Sequence, residues 1–192
     1  MENPSSKVRL TYQDLRQLPD DNLRHELIDG EHYVTPAPRT RHQRISGNLH
    51  FRIAAYLEKR PLGRVYYAPL DVVFNEYNCV EPDLLYISHE RGARLMTEDN
   101  LEGAPDLAIE ILSPSTSHRD QGIKHRLYER FEVPEYWIVD PEKEMVRIYR
   151  LEDGRLQLAE EVTRQASTSA PAPTLSTPLL PGLAIPLDKI FE

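Results

Sequence analysis

The sequence predicts a mixed α/β fold arranged around one sheet, and three observations carry that expectation. Residues 40–60 repeat apolar side chains at helical spacing. Short strand-like segments lie on either side of that helix and are punctuated by turn residues. A single crossover helix separates the later strands, which argues against a fully doubly wound parallel sheet. The 192 residues suit one domain, 1–192, long enough to bury a sizeable core.

In chain order, "TYQDLRQLP" reads as a short helix, with Thr11 as N-cap and Asp14 completing an approximate capping box. "RHELIDGEHYV" reads as a hairpin turning at Asp29-Gly30. The helix over 40–60 buries Ile45, Leu49, Ile53, Tyr56 and Leu57, and Pro61 and Gly63 stop it. "RVYYAPLDVVFN" and "VEPDLLYIS" read as two strands divided by the "EYN" turn, followed by a helical or irregular segment through "TEDNLEGAP". "PDLAIEILSPST" carries a strand around Glu110, and the Ser and Thr of "SPSTSHRD" offer caps to the helix "DQGIKHRLYERFE". "EYWIVD", "EMVRIYR" and "RLQLAEE" are successive strands, with Tyr136 and Trp137 as core and sheet aromatics. Residues 165–182, rich in Pro, Ser and Thr, read as an extended, poorly structured loop, and "LAIPLDKIF" returns to the body.

Composition narrows the classes. Hydrophobic residues make up 40% of the chain, as in soluble globular proteins. No run approaches the ~18 apolar residues of a membrane span, and "MENPSSKVRL" lacks the apolar stretch of a signal peptide, so a cytoplasmic location is expected. Cys79 is the single cysteine, which excludes an internal disulfide and a cysteine zinc site. The net charge of −8 argues against broad non-specific nucleic-acid binding. Two local basic groups soften that argument. One gathers Arg39, Arg41, Arg44, Arg52, Lys59, Arg60 and Arg64 against Glu58; the other holds Arg119, Lys124, His125, Arg126 and Arg130. Each is either a solvated helix face or a contact for an anionic polymer.

The chemistry turns on Glu110, a carboxylate inside an apolar strand, where a charge is costly unless it is paired or metal-bound. Alternation puts Glu110 on one face with Ala108 and Leu112, and Asp83 on one face with Leu85 and Ile87. If the two strands pair, both carboxylates converge at one end of the sheet and offer the hard oxygen ligands that Mg²⁺ or Mn²⁺ takes. Pairing of Glu110 with an arginine or lysine is the competing account. Lys124 shares a helix face with Asp120 and Tyr128, either as an ordinary surface pair with Asp120 or turned towards the carboxylates. Glu26 is either a further ligand or a solvent-facing hairpin residue. His42 reads as a surface or capping histidine or as a site residue. No P-loop, GxGxxG, HExxH or GxSxG motif is present.

At these residues the chain resembles the Uma-type restriction-endonuclease-like family of the PD-(D/E)XK nuclease superfamily. The matching pieces are "HELIDGE", "PAPRTRHQRISGNL", "EPDLLYIS", "EGAPDLAIEILSPSTSHRDQGIKHRLYERFEVPEYWIVDP" and "STPLLPGLAIPLDKIF", in family order over residues 10 to 191. The resemblance implies a restriction-endonuclease-like core, a central mixed β-sheet flanked by helices with an N-terminal hairpin. It implies catalytic Asp83, Glu110, Lys124 and Glu26, with Asp83, Glu110 and Glu26 holding Mg²⁺ or Mn²⁺. One departure stands out: Leu112 occupies the position where the superfamily has lysine, and Lys124 from the helix is the natural substitute.

The leading expectation is therefore a metal-dependent endonuclease acting on nucleic acid, foremost DNA, with Arg39, Arg41, His42, Arg44 and Arg126 as backbone contacts. By analogy with superfamily nucleases that pair to cut two strands, the resemblance suggests a homodimer. A binding or regulatory protein on the same fold, without turnover, is the alternative. A hydrolase of small phosphate esters is the third.

Overall fold

The computed structural model describes residues 8–19, 21, 23–113, 119–164 and 172–192. The chain opens with α1 (Tyr12–Leu15), closed at its N-terminus by the reciprocal Thr11–Asp14 capping box. The hairpin β1 (Arg24–Ile28) and β2 (Glu31–Thr35) follows, and Asp29 and Gly30 both take positive φ in its turn. Then comes α2 (Thr40–Lys59), which buries the five apolar residues its spacing marks.

The next two strand-like stretches each divide in two. Their pieces are β3 (Gly63–Tyr67), β4 (Val72–Asn75), β5 (Asn78–Val80) and β6 (Leu84–Ser88). Pro69 and Pro82 fall at the breaks, where a missing N–H and a restricted preceding residue end ladder pairing. Each break lets the chain cross between sheets: β4 and β5 join the hairpin in a four-stranded sheet, β2-β1-β5-β4. Ser88 caps α3 (His89–Leu95), and the following segment to Pro105 is irregular.

Strand β7 (Leu107–Ile111) leads to a π-helical turn at Arg119–Lys124 and then α4 (His125–Arg130). The Ser and Thr caps read in "SPSTSHRD" fall on residues 114–118, outside the described residues. Strands β8 (Glu135–Asp140), β9 (Met145–Glu152) and β10 (Arg155–Thr163) complete a six-stranded sheet in the order β10-β9-β8-β7-β6-β3. Only β7 and β8 run parallel, joined by the α4 crossover, and every other neighbouring pair in that sheet is antiparallel.

Strand alternation sorts the core onto the two faces of this sheet. Leu107, Ile109, Ile111, Trp137 and Val139 pack beneath α2. Ala108, Leu112, Tyr136 and Ile138 pack with Leu127 and Tyr128 of α4. The C-terminal segment departs from expectation. Only 165–171 lie outside the described residues; from Thr174 the chain forms β11 (Thr174–Leu175), paired with β12 (Ile185–Pro186). Leu175, Leu180, Leu183 and Leu187 are buried in the α2-side core, so spaced leucines override the loop-like composition there.

Gly63 opens β3 opposite Ser88, and a Cβ there would lie 2.1 Å from the Ile87 carbonyl oxygen and 2.7 Å from Ser88 Cα. Both are backbone atoms that cannot step aside. Gly63→Ala is expected to cost about 2 kcal/mol by overpacking. Urea unfolding checks this; an unchanged midpoint would mean that the β3–β6 pair is looser than its register implies.

Candidate active site

Strand pairing delivers the carboxylates to one place. The register that sets Leu84 opposite Ile109 and Leu85 opposite Ala108 carries Asp83 opposite Glu110. On β1, alternation points Glu26 inward, and it is fully buried rather than solvent-facing. The helical turn after β7 lays Asp120, Lys124 and Tyr128 on one buried face, so Lys124 is no surface residue.

The contacts form two linked groups. The Lys124 ammonium sits between Glu110 Oε1 and Glu26 Oε1, 2.7 Å from each. Tyr128 donates its hydroxyl hydrogen bond to the same Glu110 oxygen at 2.8 Å. Glu26 also accepts the Glu81 backbone N–H at 2.9 Å and has Arg119 3.2 Å away. Asp83 is held separately: Arg24 donates to Oδ1 at 2.8 Å, and the Ile111 N–H donates to Oδ2 at 2.8 Å. His42 Nε2 lies 3.0 Å from that same Oδ2.

Burial and charge pull these groups in opposite directions. Burial alone would lower the Lys124 pKa; Glu110, Glu26 and Asp120 outweigh it and keep the ammonium charged. Burial would raise Glu26, but Lys124 and Arg119 bring it below the usual carboxylate range. Asp83 is brought down to about 2 against its burial by the His42 hydrogen bond and Arg24. Glu110 goes the other way: burial raises it, neighbouring Asp120, Asp83 and Glu26 add to the rise, and Lys124 offsets only part.

The Asp83 shift carries a pH signature. Its folded pKa is depressed, so its ion pairing contributes stability above about pH 4 that is lost as pH falls towards 2. The melting-temperature gap between wild type and Asp83→Asn is expected to be widest near pH 6 and to close between pH 4 and 2. A gap independent of pH would mean that the carboxylate charge contributes nothing to the fold.

Sequence reading missed Glu81. It lies two residues before Asp83, is 7% exposed, and its Oε2 has no hydrogen-bond partner among the described residues. Burial and nearby Asp71 push it up to about 7. The signal was present in "EPD", but a glutamate before proline also reads as an ordinary loop residue. A cavity of about 970 Å³ reaches the cluster at Arg24, His42, Glu81 and Asp83. Glu26, Glu110 and Lys124 lie behind these residues rather than on its wall.

The basic candidates separate. Arg39 and Arg44 are exposed at the start of α2, where His42 is turned to Asp83. Arg41 is half-exposed and already faces Glu144 at 3.2 Å and Glu142 at 3.7 Å. Arg126 is exposed on α4, which packs on the opposite face of the six-stranded sheet from α2.

The cluster fits a divalent cation in donor type. Glu26, Asp83 and Glu110 offer only carboxylate oxygens, the ligands of Mg²⁺ and Mn²⁺. The carboxylates of Glu26, Glu81, Asp83 and Glu110 are all buried, beside Arg24, Arg119 and Lys124. Buried Glu81 Oε2 lacks a hydrogen bond among the described residues, whereas Glu26 Oε2 is ion-paired with Arg119 at 3.2 Å. Among those residues no three His, Cys, Asp or Glu side chains are grouped as a ready-made metal site, since the ammonium stands between Glu26 and Glu110.

Comparison with known proteins agrees with this architecture. A family model described as "Uma2: Putative restriction endonuclease" matches residues 12–188. Among solved structures, the fold is similar to that of "a putative nuclease belonging to DUF820" from Anabaena variabilis ATCC 29413. The two chains are 21% identical; the match covers 95% of this chain and 97% of the other, with a TM-score of 0.76. No curated protein matches. The expected mixed sheet with flanking helices is the fold observed.

Proposed function

The chain belongs to the Uma2 family, and from that premise we propose that it is a divalent-metal-dependent endonuclease hydrolysing phosphodiester bonds in nucleic acid, foremost DNA. The observation that carries this reading is the placement of Glu110 opposite Asp83, with an ammonium 2.7 Å from Glu110. Lysine is missing two positions after Glu110, where Leu112 stands, and Lys124 supplies the positive charge from the helix instead.

Asp83 and Glu110 would hold Mg²⁺ or Mn²⁺, with Glu26 behind them. When bound, such an ion polarises the scissile phosphate and lowers the pKa of a coordinated water. The chain's own residues set the stage for that chemistry. Arg24, His42 and the Ile111 N–H fix the Asp83 carboxylate, and Lys124 and Tyr128 fix Glu110. Lys124 is spent on two carboxylates and walled off from the cavity, so we assign it to positioning Glu110. Arg39 and Arg44, exposed at the start of α2, are the phosphate contacts this reading favours, and such contacts carry no sequence information. We take the protein to be a cytoplasmic single domain acting as a homodimer; among the described residues no helix is long and apolar enough to cross a membrane.

The test is cleavage of supercoiled plasmid and of single-stranded DNA and RNA with Mg²⁺, Mn²⁺ or EDTA. Cutting that persists in EDTA would sink the metal-dependent reading. A second reading, a nucleic-acid-binding or regulatory protein without turnover, is favoured by one observation: Lys124 already neutralises Glu110 and Glu26. Calorimetric titration with Mn²⁺ separates the two. A nuclease must bind the ion and lose that binding in Asp83→Asn, whereas a silent scaffold need show no heat of binding at all.

A further inference from the structure

We infer that the cavity over Asp83 is a pocket for one unpaired nucleobase, so that the substrate presents a single-stranded or extruded nucleotide rather than intact duplex. This rests on the nuclease reading above and narrows its substrate class.

Two segments that border the cavity are the loop before α2 and the end of β3. Pro36 and Pro38 come from the first and Tyr67 from the second, and all three are exposed on its wall. Tyr67 is 61% exposed, yet its ring is steadied edge-on by His50, centroids 4.9 Å apart at 85°. An aromatic face held in place and left open to water is what stacks on a base, and such stacking tolerates any sequence. Gln43 and Ser46 of α2 line the same cavity and bring amide and hydroxyl groups for a base edge. At about 970 Å³ it has the capacity of pockets that enclose small molecules.

Charge points the same way. Duplex binding draws most of its affinity from neutralising many phosphates. Among the described lining residues Arg24 is the one full cation, and it is paired with Asp83 at 2.8 Å. Arg41, in the first turn of α2, is turned to Glu144 and Glu142. Tyr67, Gln43 and Ser46 on the wall suit a flat, hydrogen-bonding group, and the Glu81 and Asp83 carboxylates line the same cavity. A nucleotide whose base has left the stack offers such a group.

The test reads binding without turnover. Oligonucleotides carrying 2-aminopurine, as single-stranded DNA, single-stranded RNA and blunt duplex, are titrated in EDTA with wild type, Tyr67→Ala and Tyr67→Phe. Single strands are expected to bind at least about tenfold tighter than duplex, with a change in 2-aminopurine fluorescence. Tyr67→Ala should lose about tenfold and Tyr67→Phe should keep wild-type affinity. The DNA and RNA arms show which polymer supplies the base. Duplex binding as tight as single strand, unaltered binding by Tyr67→Ala, or no binding of any oligonucleotide would overturn the pocket. The expected binding pattern with no cleavage in Mn²⁺ would instead retain the pocket and remove the nuclease reading.

Discussion

Glu110→Gln is expected to lower metal-dependent cleavage of plasmid DNA by about 10³-fold, the order of 4 kcal/mol of lost transition-state stabilisation. The glutamine is the informative variant because it separates chemistry from fold. Its amide oxygen can still accept from Lys124 and Tyr128, which now donate to Glu110 Oε1 at 2.7 and 2.8 Å. What it loses is the negative charge, and with it the hard anionic ligand that the proposed reading sets opposite Asp83. Glu110→Ala would lose that charge too, but it would also leave the buried Tyr128 hydroxyl unpaired, so its inactivity could be blamed on unfolding. Asp83→Asn is expected to fall as far as Glu110→Gln. The double variant should fall little further if, as proposed, the two carboxylates hold one ion, because two ligands of one ion act as a unit. Circular dichroism and melting curves run beside the assay establish that the variants fold. Folded Glu110→Gln and Asp83→Asn that both cut at wild-type rates would end the assignment.

How much of this arrangement was legible depends on the range over which its causes act. Local causes were readable. The Thr11–Asp14 capping box, the Asp29-Gly30 turn and the buried stripe of α2 each follow from residues within a few positions of one another. The convergence of Asp83 and Glu110 was readable as a conditional statement, because strand alternation fixes the face once the strands pair. The long-range partners were not. Arg41 looks like a free basic residue in sequence, and its partners Glu142 and Glu144 lie about a hundred residues away. Lys124 has the spacing of a surface pair with Asp120, and only the packing of α4 on the sheet buries both. Composition misled at 172–182, where scattered leucines between prolines reach the core. Glu81 was missed because its significance comes from the cavity wall, which four separate segments build.

The other large effect is on stability, at Lys124. Its ammonium is fully buried and bridges Glu26 and Glu110, so its removal leaves two buried carboxylates short of a cation. Breaking a buried ion pair on one side costs about 3–5 kcal/mol, and Lys124→Ala is expected at the upper end because it also opens a cavity. Lys124→Met keeps most of the volume and isolates the charge. Without the ammonium, burial drives both carboxyl pKa values upward, so the cheapest response is to take up a proton. The cost of Lys124→Met is therefore expected to be larger at pH 8 than at pH 5, where protonation relieves the repulsion. Adding Glu110→Gln to Lys124→Met should return part of the loss at pH 8, since one of the stranded charges is then gone. Urea unfolding at the two pH values measures all three effects. A cost for Lys124→Met below about 1 kcal/mol at both pH values would put the pair in the range of exposed salt bridges. In that case the ammonium is not what settles the charge of Glu110, and the carboxylate in this apolar strand would need another partner, such as the metal proposed above.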